Sequence, residues 1–378
     1  MTQGAGVPQP GYVVDLSVFR PYHFEMGAIR PPSEGGSASL LLRITRNCPW
    51  SRCTFCYARM YGHEKFQLRP VEELKEDIDA AKDIAEELKA LSWKLGHAGQ
   101  MEPLMEVLRH GLLTQPMLNA NCVVNVYNWL CSGGKTVFLQ DADTPIMPTP
   151  QLVEVIRYLK DTFPGIERIT SYARSKTIFK KKPEDLEKLR QAGLSRLHVG
   201  MESGDDEVLE FIQKGVTAEQ QIIAGHKAIE AGFELSEYIM PGVAGRKMWR
   251  QHAENTARAL NEINPHFIRM RPFTPGKNSP LYDSFKSGEY ELTSPHERLL
   301  EIGLLIKNLD ITGRVCFDHM YNTLYRSGDY YVPLMAQDYD GYKFPEEKEA
   351  VLELVDKGLS MDESLLFDVR ENSGLLSL

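Results

Sequence analysis

Six times between residues 40 and 310, a short apolar run that reads as a β-strand is followed by polar or glycine- and proline-bearing text and then by a helical pattern. The runs are Leu40 to Ile44, Thr136 to Leu139, Arg168 to Thr170, Arg196 to Val199, Phe233 to Ile239 and Phe267 to Met270. The helical pattern is clearest after the first run. There Val71, Leu74, Ile78, Ala81, Ile84, Leu88, Leu91 and Leu95 recur at three- and four-residue steps while Glu and Lys fill the other face. Repeated β-α units imply parallel strands joined by right-handed crossovers, which limits the fold to an α/β barrel or a doubly wound open sheet.

The residues after each strand favour the barrel. These stretches are Cys48 to Cys56, Gln140-Asp141-Ala142-Asp143, Ser171-Tyr172-Ala173-Arg174, Gly200-Met201-Glu202-Ser203-Gly204, Met240-Pro241-Gly242 and Arg271-Pro272-Phe273-Thr274-Pro275. A barrel gathers all six at the C-terminal rim, where parallel barrels build their sites; an open sheet spreads them along a line. The expectation is a partial (β/α)6 TIM-like barrel over 39–310, preceded by an irregular proline-bearing arm, 1–38. A Met- and Leu-rich helical insertion of obscure role interrupts it at about 96–132. A Tyr-, Asp- and Glu-rich extension, 311–378, follows, with a short helix near Glu346 to Val355.

The chain has 378 residues, a formal net charge of -9 and six cysteines. That charge argues against a protein whose affinity rests on phosphate neutralisation, so no nucleic-acid partner is expected. No stretch approaches the roughly 20 apolar residues of a membrane span, and the amino terminus lacks the basic and apolar regions of a secretory signal. A cytoplasmic protein is expected. Six cysteines are too few for a disulfide scaffold in a chain of this length, and three of them crowd into Cys48-Pro-Trp-Ser-Arg-Cys53-Thr-Phe-Cys56.

Three thiolates on one loop suit a soft metal centre, either zinc or iron-sulfur. A structural zinc site wants a fourth ligand, for which His63 is the local candidate. Three ligands alone leave one metal position open. On a [4Fe-4S] cluster that position is a site for substrate or cofactor, whereas on zinc it asks for a hydrolytic apparatus the sequence does not display. Cys122, Cys131 and Cys316 are dispersed among apolar residues, as buried free cysteines are.

The loop resembles that of the radical S-adenosylmethionine (radical SAM) superfamily, which follows the first barrel strand and usually reads Cys-x-x-x-Cys-x-aromatic-Cys. Phe55 supplies the aromatic residue, and the first gap is one residue longer here. The resemblance extends over about 40–310 and is greatest to the branch of the oxygen-independent coproporphyrinogen oxidases and methylthiotransferases. In that branch a glycine-rich stretch and Thr-Pro end the second strand; Asp141-Ala142-Asp143-Thr144-Pro145 keeps Thr-Pro without the glycines. Gly200-Met201-Glu202-Ser203-Gly204, with the later Lys214-Gly215 and Thr217, is similar to the Gly-x-Gln/Glu-Ser-Gly that ends the fourth strand.

The resemblance implies an enzyme that binds a [4Fe-4S] cluster through Cys48, Cys53 and Cys56 and cleaves SAM reductively to a 5′-deoxyadenosyl radical. It places Glu202 on the ribose diol, Arg174 on the SAM carboxylate and Phe55 with Met240-Pro241 along the adenine. It also groups Gln140, Asp141, Asp143, Ser171, Ser203 and Pro272 with the cofactor. The implied partners are an electron donor such as flavodoxin or ferredoxin and a small-molecule substrate, carboxylated or tetrapyrrole-like. An RNA-modifying radical SAM enzyme, a non-catalytic cluster- or haem-binding protein on the same fold, and a zinc-stabilised interaction protein are the alternatives.

Tyr172, Glu237, Tyr238, Arg269, Arg271, Asp318 and His319 are candidates for the barrel mouth. Arg269 and Arg271 alternate, so both can point inward and clamp an anionic substrate with Tyr172, or pair with acids in the wall. Tyr238 and His319 are the candidates for catalytic chemistry, His319 by moving a proton.

Overall fold

The computed structural model describes residues 14–31, 34, 38–56, 65–277, 279–319 and 322–371; His63 lies outside them. All six expected strands form, as Leu40–Arg43, Thr136–Gln140, Arg168–Ala173, Leu194–Glu202, Glu234–Ile239 and Phe267–Met270, and they lie side by side in chain order, all parallel. A seventh parallel strand, Arg314–Cys316, pairs with the sixth, and Tyr342–Lys343 adds to it antiparallel. Beyond the six β-α units, the strand expected just before Cys316-Phe-Asp318-His319 is present, and it joins the same sheet. The segment beyond 310 thus completes the sheet, and its helix Lys348–Ser360 packs on Pro295–Asn308.

Each crossover buries one helix face against the sheet. The first helix, Val71–Lys94, buries Leu74, Ile78, Ala81, Ile84 and Leu88, the stripe its spacing implies. Strand residues alternate accordingly. Val137, Leu139, Leu197, Val199 and Leu235 belong to the core with the helices. Phe138, Tyr172, His198 and Tyr238 form a row of rings on the other face, with centroids 5.1 to 6.1 Å apart between neighbours. Tyr172 also reaches Tyr238 at 6.4 Å, although two strand spacings separate their strands by roughly 9.5 Å. This face is therefore concave, the interior of a partial barrel.

The insertion forms two helices, Met105–Thr114 and Ala120–Cys131. The second covers the free edge of the first strand, where Asn125 accepts from the Leu41 N–H (3.1 Å) and donates to the Ser39 carbonyl (3.1 Å). The Glu25 carbonyl accepts from the Arg43 N–H (3.1 Å) on the same edge. An edge strand so occupied offers no template for another chain.

Candidate active site

The cysteine loop is strapped across the C-terminal rim. At its start Asp141, at the end of the second strand, accepts from Arg43 Nε (2.8 Å) and from the Asn47 N–H (3.0 Å), so the first two strands fix where the loop leaves the sheet. Asn47 takes a left-handed backbone, φ 65°, and its side chain accepts from the Cys48 N–H (2.7 Å). Farther along, Trp50 Nε1 donates to the Gln213 carbonyl (2.7 Å) and the Thr54 N–H to the Ile212 carbonyl (3.0 Å), while the Thr54 carbonyl accepts from Leu281 (3.0 Å). A Cβ on Gly215 would lie 2.4 Å from the Trp50 ring, so glycine is what lets the indole settle there.

Cys48, Cys53 and Cys56 are free thiols on this loop, all partly exposed. Cys53 and Cys56 pack against an apolar group that includes Phe55, Met240 and Phe273. Burial pushes the Cys53 thiol up to about 12, against the pull of Lys214 and Arg174 nearby. The expected adenine lining, Phe55 with Met240, is thus brought together beside the cysteines.

Glu202 ends the fourth strand in a left-handed backbone, φ 65°, and its Oε1 receives Lys214 Nζ at 3.0 Å, both side chains buried. Gly200 makes room for this: a Cβ there would lie 2.4 Å from Glu202 Oε1 and 3.1 Å from Lys214 Nζ. Burial alone would discharge Lys214, but Glu202 and Cys53 outweigh it and hold the ammonium charged. Its Nζ also stands 5.6 Å from the Phe55 ring centroid, which joins the Glu202 carboxylate to the cysteine loop.

The other residues grouped with the cofactor divide. Arg174 Nη2 donates to the Lys214 carbonyl (3.0 Å), and Ser171 Oγ is buried with no hydrogen-bond partner among the described residues. Asp143 ties down the start of the helix Ser175–Lys180, accepting from the Arg174 N–H (3.0 Å) and Thr177 Oγ1 (2.6 Å), and burial raises its pKa to about 6. Gln140 spends its amide on the amino-terminal arm, bonding Gly27 (2.9 and 3.0 Å) and Ile29 (2.6 Å). Ser203 turns to the helix layer, with Oγ 2.8 Å from His252 Nδ1. Pro272 is buried at the rim beside Phe273, whose N–H bonds the Pro241 carbonyl (2.8 Å).

At the mouth, Arg269 is consumed by the barrel wall, where it donates to Asp318 Oδ2 (2.5 Å), Ser236 Oγ (3.1 Å) and the Tyr339 carbonyl (3.2 Å). The alternation of Arg269 and Arg271 does not produce a matched clamp, because one of the two is neutralised. Arg271 is partly exposed and its charge acts on both Tyr172 and His319. Burial, with Arg271 adding to it, pushes His319 down to about 3, so its imidazole is neutral and a weak base. Glu237 is 2% exposed, its Oε2 has no hydrogen-bond partner among the described residues, and burial raises its pKa to about 8.

Sequence reasoning missed three features. Glu34 Oε1 stands 2.9 Å from His198 Nε2 inside the barrel, a contact across 164 residues that no local pattern signals. Trp50 lies under two guanidinium groups, those of Arg52 (5.1 Å) and Arg174 (5.3 Å). A basic run, Arg174, Lys176, Lys180, Lys181 and Lys182, was readable as charge and borders the cysteine loop.

A partial α/β barrel with three thiols strapped over its C-terminal rim defines a class of cluster-dependent enzymes. Residues 125–257 match the sequence profile of the Radical SAM superfamily, and that match supports an enzyme of the radical SAM class. Among curated proteins, the tRNA uridine(34) acetyltransferase of Methanocaldococcus jannaschii is 26% identical over 114 residues, which are 29% of this chain and 20% of that protein. That of Methanocaldococcus infernus is 23% identical over the same shares. The chain thus spans about a fifth of the length of these relatives. Solved structures similar to it include coproporphyrinogen III oxidase (HemN) from Escherichia coli, at a TM-score of 0.44, 16% identity, and coverage of 80% of this chain and 61% of that one. Methylornithine synthase (PylB) follows at 0.41, 16%, and coverage of 74% and 66%.

Radical SAM enzymes use a [4Fe-4S] cluster and SAM, and this site fits both. Three free thiols share one loop, two cations stand near Cys53 to offset the charge of thiolate ligands, and Ser171 Oγ and the Glu202 carboxylate offer polar groups below. Among the described residues, no three His, Cys, Asp or Glu side chains are close enough to share one metal ion. Cluster ligands bind separate irons and do not need to be. No helix among the described residues is long and apolar enough to cross a membrane.

Proposed function

We propose that the protein holds the cluster through Cys48, Cys53 and Cys56 and uses SAM to abstract a hydrogen atom from a small anionic molecule at the barrel mouth. When bound, cluster and SAM supply one-electron cleavage chemistry and a hydrogen-abstracting radical. Glu202, fixed by Lys214, accepts hydrogen bonds from a ribose diol, and Arg174 meets a carboxylate. Phe55 and Met240 keep water from the adenine side. Arg271 holds the substrate's negative group in front of Tyr172 and Tyr238, and His319, kept neutral, offers a hydrogen bond to the substrate rather than a base. The observation that carries this reading is the convergence of the three thiols, the Phe55–Met240 pair and Glu202 at one rim.

An RNA substrate is the second reading, favoured by one observation: the curated relatives that match are named as acting on tRNA. The net charge of -9 speaks for the first. Reduced, cluster-loaded protein incubated with SAM and either a small-metabolite extract or total tRNA separates them. Stimulation of 5′-deoxyadenosine release by the metabolite fraction alone supports the small-molecule reading, and stimulation by tRNA alone overturns it.

A further inference from the structure

Beside the cysteine loop lies a groove of about 390 Å³ lined by Pro49, Trp50, Arg174, Lys176, Lys180 and Lys181 among others, with no carboxylate in its lining. Arg52 adds a further cation at its Trp50 end. Among the described residues, Arg52, Lys176 and Lys180 make no ion pair with a carboxylate, while Arg174 is left to the SAM carboxylate assigned to it above. Lys176 is held by Gln220 Oε1 (2.6 Å), Arg174 by a carbonyl, and Lys180 is exposed. In a chain of net charge -9, a concave surface with this many uncompensated cations is a site of opposite potential to the rest of the molecule. It is also in contact with the segment between Cys48 and Cys53, through Pro49 and Trp50.

We propose that this groove is the docking face of an acidic one-electron carrier protein, which rests on the radical SAM reading above. An electron has to arrive from outside, and Pro49 and Trp50, which line this face, belong to the loop that carries the thiols. In the step the carrier loses one electron and the cluster gains it; no bond forms or breaks and no proton moves. A nucleic acid is the other polyanion that a cationic groove attracts, and two observations disfavour it. The adjoining groove that shares Trp50 and Lys176 carries the carboxylates of Asp206 and Glu210, and the Trp50 ring already carries two guanidinium groups, which leaves it poorly placed as a platform for a base.

The test uses cluster-loaded full-length protein and a reduced flavodoxin as probe, with Lys180→Glu and the Lys176→Glu/Lys180→Glu double variant. The wild type should bind the flavodoxin more weakly as salt rises, and the double variant about tenfold more weakly than the wild type, with a flatter salt dependence. Flavodoxin-driven bleaching of the cluster should slow by a similar factor, while bleaching by dithionite, a small reductant, should keep the wild-type rate and iron content should not change. Equal flavodoxin affinity and bleaching rate in wild type and double variant would overturn the proposal. So would loss of tRNA binding in the variant with flavodoxin binding intact, or a wild type that does not bind the flavodoxin. Lys180→Glu alters an exposed side chain only and should show the same direction if the double variant folds poorly. Failure of SAM cleavage under dithionite would count against the radical SAM reading, whereas the binding and bleaching rates report on the groove alone.

Discussion

Lys214 Nζ meets Glu202 Oε1 at 3.0 Å in a pocket that Gly200 leaves open, so the carboxylate assigned to the ribose is held in place by a cation that also faces the cysteine loop. Replacing Glu202 by Ala removes an ionised acceptor from two hydroxyl donors, and SAM affinity should fall roughly ten- to a hundredfold. It also strands a buried ammonium, which costs about 3–5 kcal/mol of stability when one partner of such a pair is removed. Anaerobic SAM titration at a temperature where the variant stays folded reads the first effect and thermal unfolding the second. An unchanged SAM dissociation constant would return Glu202 to a purely structural ion pair.

The three loop cysteines and the other three should behave oppositely. Cys122 lies against the Phe24 carbonyl (3.2 Å), Cys131 ends a helix of the insertion and Cys316 sits on the last parallel strand, so they do not form a second thiol cluster. Cys48→Ala/Cys53→Ala/Cys56→Ala should abolish iron and sulfide binding. The wild type should carry about four irons per chain rather than about eight. Elemental and sulfide analysis of anaerobically purified protein decides both.

The Arg269–Asp318 pair, each side chain 1% exposed, is a buried ion pair in the barrel wall. Asp318→Ala should destabilise the protein by about 3–5 kcal/mol, because it leaves a buried guanidinium uncompensated. Replacing both residues together, Arg269→Met with Asp318→Leu, should recover most of that loss. Chemical denaturation of the three proteins measures it, and a double variant no better than Asp318→Ala would show that the charges themselves are required.

Glu237 gives a pH signature. Its folded pKa, about 8, lies above the ordinary carboxyl value of 4.5, so the folded chain holds a proton that the unfolded chain gives up. Its contribution is therefore fully present below about pH 4.5 and is lost as pH rises through 8. Glu237→Gln keeps the shape and removes the titration. The variant should gain stability over wild type at pH 8.5 and gain little at pH 5, in melts at matched ionic strength. An equal difference at both pH values would place the charge of Glu237 elsewhere.

The regular part of this fold was legible because each strand and helix carries its own periodicity. Leu40 to Ile44 and the Val71 to Leu95 stripe are read locally, and the Cys48 to Cys56 spacing needs no neighbour to be recognised. What escaped depends on residues far apart or on elements too short to have a pattern. The two-residue strand Tyr342–Lys343 is one case, and the Glu34–His198 contact is another. Spacing gave Arg269 an inward direction but not its partner, since Asp318 lies 49 residues away on another element. Gln140 and Ser203 sit at strand ends as the site residues do, yet the arm and the helix layer take up their polar atoms.

The most direct test of the whole account is SAM turnover by the reduced protein. Cluster-loaded enzyme with dithionite and SAM should release 5′-deoxyadenosine and methionine in equal amounts, and the triple cysteine variant should release neither. Intact SAM after prolonged incubation with wild-type protein carrying about four irons per chain would contradict the assignment of radical chemistry to this barrel.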